Sequence, residues 1–231
     1  MKNASFIMLF NLIGVAAFAQ TLRFQNQTFE LKNVTGSVTK LDGNNVLKIE
    51  RDLKALPFDA KNLGATVDEP TYAKLTDLDF ENGTIEVMML SRIQDPSPFE
   101  SAQGFIGVAF RINENDSAFE SIYLRPRVGR SDNQLARNRT VQYYAFPDYK
   151  FDKLRKEAEG RYETTAPVNV NEWIKMRIEI TGSKAYMFIN DAKYSTFVVD
   201  KMKGKTTRGA IGLWVDIGTI GYFKDLKVIK R

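Results

Sequence analysis

A chain of 231 residues with 33 Lys and Arg against 28 Asp and Glu carries a formal net charge of +5, and it contains neither His nor Cys. Those two absences exclude a Ser-His-Asp triad, a Cys nucleophile, a His-ligated zinc site, a Cys-ligated iron–sulfur cluster and any disulfide framework. Catalysis, if the chain performs any, is left to Asp, Glu, Tyr, Lys, Arg, a Ser or Thr without a His partner, or an oxygen-ligated metal such as calcium.

The chain opens on a basic Met1-Lys2-Asn3, followed by an apolar run from Ala4 to Phe18 broken only by Ser5, Asn11 and Gly14. Ala17-Phe18-Ala19 before Gln20 has the small-x-small form of a signal-peptidase site. The apolar run is shorter than the roughly 20 residues a bilayer span requires. The expectation is a signal peptide over 1–19, cleaved after Ala19, and a bacterial periplasmic or secreted domain over 20–231. Without Cys there is no lipid-anchoring residue at the cleavage point, and no later segment approaches transmembrane length.

From there the pattern predicts strand after strand. Val46–Glu50, Gly83–Arg92, Gly104–Arg111, Ala118–Arg125, Arg139–Phe146, Trp173–Thr181, Ala185–Asn190, Thr196–Val199, Ala210–Val215 and Tyr222–Ile229 have strand length and β-branched or aromatic content. Asp42-Gly43, Asn82-Gly83, Thr181-Gly-Ser183, Asn190-Asp191 and Gly218-Thr-Ile-Gly221 punctuate them as turns. Trp173–Thr181 alternates cleanly, with Ile174, Met176, Ile178 and Ile180 on the core face. Only Tyr149–Glu159 has helical spacing, with Phe151, Leu154 and Arg155 at i, i+3 and i+4 and Gly160 as C-cap. With no linker, repeat or low-complexity tract, 20–231 reads as one all-β, two-sheet antiparallel sandwich with a short helix.

Asn171-Glu-Trp173, Phe188-Ile-Asn-Asp191, Gly209-Ala-Ile-Gly-Leu-Trp214 and Gly221-Tyr-Phe-Lys-Asp-Leu-Lys-Val228 resemble the last strands of a laminin-G-type, concanavalin A-like jelly roll. A second set of phrases is more specific: Gly104–Arg111, Phe119–Pro126, Val141-Gln-Tyr143, Phe146-Pro-Asp-Tyr149, Leu154-Arg155 and Gly160–Glu163. In order and spacing these resemble the 3-keto-disaccharide hydrolase family, over roughly Asp79 to Arg231. The resemblance implies an exported glycan-active enzyme. In the family the position before the Pro of the x-Pro-x-Tyr phrase is often His, whereas here it is Phe146, so a role for that His has no counterpart.

The residues point to the same stretch. Arg125 to Arg161 holds ten basic residues against five acidic ones, an excess equal to the net charge of the whole chain. Tyr123, Tyr143, Tyr144, Phe146, Tyr149, Phe151 and Tyr162 are interleaved with it or lie at its edge. Sugar sites combine aromatic faces with planar multi-donor groups in this way. Alternation puts Phe119, Ser121, Tyr123, Arg125 and Arg127 on one face of their strand and Glu120, Ile122 and Leu124 on the other. Gln142 and Tyr144 share a face, as do Trp214 and Asp216, and Arg111 falls on the polar side of its strand. If these strands are neighbours, Arg111, Tyr123, Arg125, Gln142, Tyr144 and Trp214 line one groove, unless a bulge swaps a face. Arg137, Arg139, Lys153 and Lys156 read as solvated surface, and Tyr143 and Phe151 as core. Glu120 reads as a buried carboxylate paired with an Arg or as an acid with a raised pKa. Asn115-Asp116 reads as a turn rather than a calcium motif, and no cofactor is expected.

The leading expectation is base-assisted elimination and rehydration of a 3-keto glycoside. Arg125 or Arg127 would stabilise the oxyanion, Tyr123, Glu120 or Asp148 would move the proton, and Arg111, Gln142, Tyr144, Tyr149, Arg155 and Trp214 would hold the sugar. Two-carboxylate glucanase chemistry is weaker, because the only comparable phrase, Asp77-Leu-Asp79-Phe-Glu81, has the wrong order. The rival is a non-catalytic carbohydrate-binding module using the same face. Nucleic acid is not expected as a partner, since acids are interspersed with the basic residues.

Overall fold

The computed structural model describes residues 20–231, so the stretch read as a signal peptide, 1–19, lies outside the described residues. Fifteen strands follow one another there: β1 (Thr21–Phe24), β2 (Gln27–Lys32), β3 (Val34–Leu41), β4 (Asn44–Arg51), β5 (Tyr72–Leu75), β6 (Gly83–Ile93), β7 (Ile106–Ile112), β8 (Phe119–Leu124), β9 (Val141–Phe146), β10 (Glu163–Thr164), β11 (Ile174–Thr181), β12 (Lys184–Ile189), β13 (Phe197–Val199), β14 (Ala210–Val215) and β15 (Thr219–Lys230). They form an eight-stranded sheet, β1-β2-β5-β14-β7-β8-β9-β10, and a seven-stranded sheet, β13-β12-β11-β6-β15-β4-β3. The expected two-sheet sandwich is the architecture observed. The helix predicted at Tyr149–Glu159 is α3 (Phe151–Glu157). Two single turns, α1 (Leu63–Thr66) and α2 (Gln134–Arg137), join it.

The seven-stranded sheet is one-sided. Ile174, Met176, Ile178 and Ile180 of β11, with Ala185, Met187 and Ile189 of β12, are buried against the other sheet, and the residues between them are exposed or half-buried. The eight-stranded sheet is different: every residue of β7 and β8 is buried, and so is all of β9 except Phe146. Its inner face meets the other sheet, where Val215 and Ile106 reach Gly221. Its outer face is roofed by the connections around 52–70, 94–105 and 126–139 and by α3. Strands β1–β3 and β5 escaped the sequence reading because short polar segments such as Gln-Thr-Phe-Glu-Leu-Lys carry little apolar signal.

One strand breaks the expected alternation. In β7 Phe110 pairs with Ile211 and Ile112 with Ala210, so Arg111 is an extra residue, and its φ is +54°. This bulge turns Arg111 away from the outer face and to the end of the sandwich.

Candidate functional site

Register explains why the aromatic and polar residues of the outer face meet. Tyr72, Trp214, Gly107, Tyr123, Gln142 and Glu163 are successive cross-strand partners in one row across β5, β14, β7, β8, β9 and β10. Gly107 sits between the two largest rings, and a Cβ there would lie 2.6 Å from the Cβ of Tyr123. Its bare backbone lets Tyr123 and Trp214 meet with ring centroids 4.8 Å apart. Two residues further along their strands, Phe105, Arg125 and Asp216 share that face at the end of the sheet.

The roof decides which of these residues can meet a ligand. Val67–Pro70 crosses Trp214, whose indole N–H donates to the Glu69 carbonyl (2.9 Å), and Trp214 is 0% exposed. Arg51 holds the 52–68 segment from below, donating to Asp216 Oδ1 (2.6 Å) and to the carbonyls of Thr66 and Pro57. Lys150, entering α3, ties this segment through the Gly64 carbonyl and the residue after it through the Glu69 carboxylate. Tyr144 is equally covered, and its hydroxyl is buried without a hydrogen-bond partner. Neither Trp214 nor Tyr144 is the open sugar platform the alternation suggested.

What remains open is a cavity of about 370 Å³ at the end of that face. Leu63, Val67, Phe99, Phe105, Leu135 and Phe151 give it an apolar rim, while Asp68, Asp216, Tyr123, Arg125, Arg139 and Arg155 supply polar walls. Leu135, on the single turn α2, is 57% exposed. The size and the mixture suit a ligand of one or two rings.

Asp68 is the chemically unusual group. It is 1% exposed, at φ +56°, with its Oδ2 accepting the Phe151 amide (2.9 Å). No donor reaches its Oδ1 among the described residues. Burial pushes its carboxyl up to about 7; the Phe151 amide pulls the other way, and the neighbouring Asp216 charge adds to the rise. A carboxyl in that range can both accept and return a proton near neutral pH.

Tyr123 and the arginines form the opposite wall. Arg125 donates from Nη1 to the Arg139 carbonyl (2.6 Å) and Glu163 (3.4 Å), and from Nη2 to the Tyr123 hydroxyl (2.7 Å) and Gln142 Oε1 (3.3 Å). Its terminal N–H groups are thus spent on protein. Gln142 is buried, with its amide nitrogen on the Tyr162 carbonyl (3.1 Å). Arg155 engages Glu163 through both Nε and Nη2. The Tyr123 hydroxyl accepts from Arg125, and its own proton has no acceptor among the described residues. Burial keeps that phenol well above its ordinary pKa, so it stays a donor. Arg139, read from the sequence as solvated surface, is half-buried and lines the cavity.

Several expected site residues lie elsewhere. Arg111 and Glu120 meet at the other end of the sandwich (3.3 Å), with Arg111 also on the carbonyls of Glu81 and Gly182. Glu120 faces between the sheets and accepts from the Tyr143 hydroxyl and the Gly204 amide. A Cβ at residue 204 would fall 2.4 Å from Glu120 Cγ, so the glycine is what admits the carboxylate. Arg127 follows the end of β8 in a 3-10 turn and reaches the Ala102 carbonyl from an exposed position. Asp148 is an exposed partner of Lys205 at the far end of β9, and Tyr149 beside it is flanked by Lys153 and Lys203. Asp116 is taken up by Lys74, Lys32 and the Tyr72 hydroxyl. Asp68 itself lies in an aperiodic loop, and no sequence pattern marks it.

No protein-family model matches the chain, and no curated protein matches its sequence. Among solved structures, a carbohydrate-binding module from Bacillus subtilis is similar with a TM-score of 0.51 at 11% identity, over 85% of this chain and 94% of that one. A Bacillus licheniformis β-glucanase gives 0.43 at 8% identity, over 91% and 82%. A galectin from Caenorhabditis elegans gives 0.37 at 12%, over 66% and 91%. The fold is a concanavalin-type jelly roll. Identities this low speak to fold and leave function to the site.

Proposed function

We propose that this chain is an exported carbohydrate-active protein whose cavity takes a small glycoside, with Asp68 as the acid/base. The observation that carries the reading is a buried carboxyl poised near 7, with one free oxygen, facing a cavity that also holds a phenol donor. The basic, apolar, Ala-x-Ala start of the sequence supports export. The similarity to a carbohydrate-binding module and the resemblance to the 3-keto-disaccharide hydrolases support the sugar.

The chemistry proposed is elimination and rehydration. A carbonyl at C3 acidifies the C2–H of the glycoside. Asp68 as carboxylate takes that proton and an enolate forms, its oxygen accepting the Tyr123 O–H. The enolate collapses to a C1=C2 double bond as the C1–O bond breaks, and the leaving oxygen takes the proton from Asp68. Water adds at C1, its proton passes to Asp68, and Asp68 returns a proton to C2. The sum is hydrolysis, with no oxidant required. Arg125 is a positioning residue here, holding Tyr123 and Gln142 rather than touching the sugar. The binding-only reading uses the same cavity and is favoured by the similarity to the Bacillus subtilis module.

Asp68→Asn tests the assignment, because the amide keeps the shape and an acceptor for the Phe151 N–H. With 3-keto glucosides, aglycone release should drop by about 100-fold or more while the Kd for the glycoside changes little. Release at the wild-type rate would remove Asp68 from the chemistry. Wild-type protein that binds a 3-keto glucoside and never releases aglycone would leave the binding module standing.

A further inference from the structure

The cavity holds three guanidinium groups, and they are not equivalent. Arg125 and Arg155 converge on one carboxylate, Glu163; both terminal nitrogens of Arg125 are engaged by protein groups, and Arg155 is neutralised through its Nε and Nη2. Asp216, the carboxylate that lines the cavity beside Asp68, is matched by Arg51 at 2.6 Å. Arg139 has neither an ion-pair nor a hydrogen-bond partner for its guanidinium among the described residues, yet its backbone is fixed, its carbonyl accepting from Arg125 and its amide donating to Ala136. A planar, five-donor cation is thus held at the wall of a half-enclosed cavity with its donors unspent. A neutral sugar, whose hydroxyls each need acceptors as well as donors, meets an excess of donors here. An oxyanion matches it.

We propose that the cavity selects a glycoside bearing an oxyanion, a sugar carboxylate or a sulfate ester, and that Arg139 is the residue that selects it. The inference rests on the reading of the cavity as a sugar site and goes beyond it by naming the substrate class. Arg139 lies on the stretch between α2 and β9, beside the exposed Leu135. The charged group of the ligand would therefore sit at the mouth, with the uncharged ring atoms deeper, against Tyr123 and Asp68. Charge-assisted, two-point pairing to a guanidinium is stronger than neutral hydrogen bonding and tolerates either anion.

Calorimetric titration of the wild-type protein at low salt with methyl glucoside, methyl glucuronide and methyl glucoside 6-sulfate tests this without turnover. Either anionic glycoside should bind about tenfold or more tightly than the neutral one. Arg139→Gln should erase the preference, so that anionic and neutral glycosides bind it alike, and Arg139→Lys should restore part of it. Preference for the sulfate alone or the carboxylate alone supports the proposal and identifies the anion. Equal affinity for all three, or a preference that survives in Arg139→Gln, overturns it and leaves the sugar site intact. Failure of all three glycosides to bind overturns this proposal, and if a 3-keto glucoside also fails to bind, the sugar reading falls with it.

Discussion

Opposite ends of the eight-stranded sheet carry the same three kinds of group: a buried carboxyl, an arginine and a tyrosine. At one end Glu120 has its oxygens met by Arg111, Tyr143 and the Gly204 amide. At the other, Asp68 has one oxygen on a backbone amide and the other without a donor, at the wall of a cavity. Burial raises both carboxyls, and at each a hydrogen bond opposes the rise, from the Tyr143 hydroxyl at Glu120 and from the Phe151 amide at Asp68. Asp68 is left near 7. The difference teaches that composition does not make a site; unsatisfied valence beside open volume does. A saturated cluster fastens the sandwich, and an unsaturated one is available to a ligand.

That contrast is broken most directly by treating the two carboxyls alike. Asp68→Asn should remove most turnover without unfolding the protein. Glu120→Ala should do the reverse. It leaves the Arg111 guanidinium buried opposite no carboxylate and opens a void beside Gly204, costing roughly 3–5 kcal/mol of unfolding free energy. The folded fraction should still bind and turn over substrate as the wild type does, measured at a temperature below its transition. Wild-type stability together with lost turnover would exchange the roles assigned here.

Proton linkage sharpens the comparison further. Asp68 is raised from 3.8 to about 7 in the folded state. Between those values the native protein holds a proton that the unfolded chain has released, so stability falls as pH rises through that window. Each unit is worth about 1.4 kcal/mol, about 4 kcal/mol at most across the window. Asp68→Asn removes the titration. Its stability relative to wild type should therefore climb from pH 4 to pH 7 and level off above, followed by denaturant unfolding at a series of pH values. A difference independent of pH would mean that Asp68 ionises as it does in the unfolded chain.

The sandwich was legible because β11 and its neighbours bury one face, so period-two alternation is written plainly in Ile174, Met176, Ile178 and Ile180. Parts of the site were legible for the same reason: alternation grouped Tyr123 with Arg125, Gln142 with Tyr144 and Trp214 with Asp216. Two kinds of information were not written locally. The bulge at Arg111 depends on pairing with β14 and on a positive φ, and it moved one residue from the groove to the far end. The roof depends on long connections whose placement comes from contacts distant in sequence, such as Arg51 with Asp216. It buried Trp214 and Tyr144 and brought Asp68 over the sheet. Aromatic and basic residues could be counted; which remained reachable could not.

Asp148 provides the smallest effect and the control for the rest. It was expected among the proton-transfer groups, yet its side chain is 41% exposed and pairs with Lys205 at 2.6 Å. The Lys205 hydrogen bond holds the carboxyl below its ordinary value, which makes it a poorer base than an isolated aspartate at neutral pH. Exposed pairs of this kind contribute little to stability, because water solvates both partners well and salt screens the attraction. Asp148→Asn should leave the melting temperature and the rate of aglycone release unchanged within error. A substantial loss of turnover would put the chemistry at the far end of β9, beside the half-buried Tyr149 and Lys203.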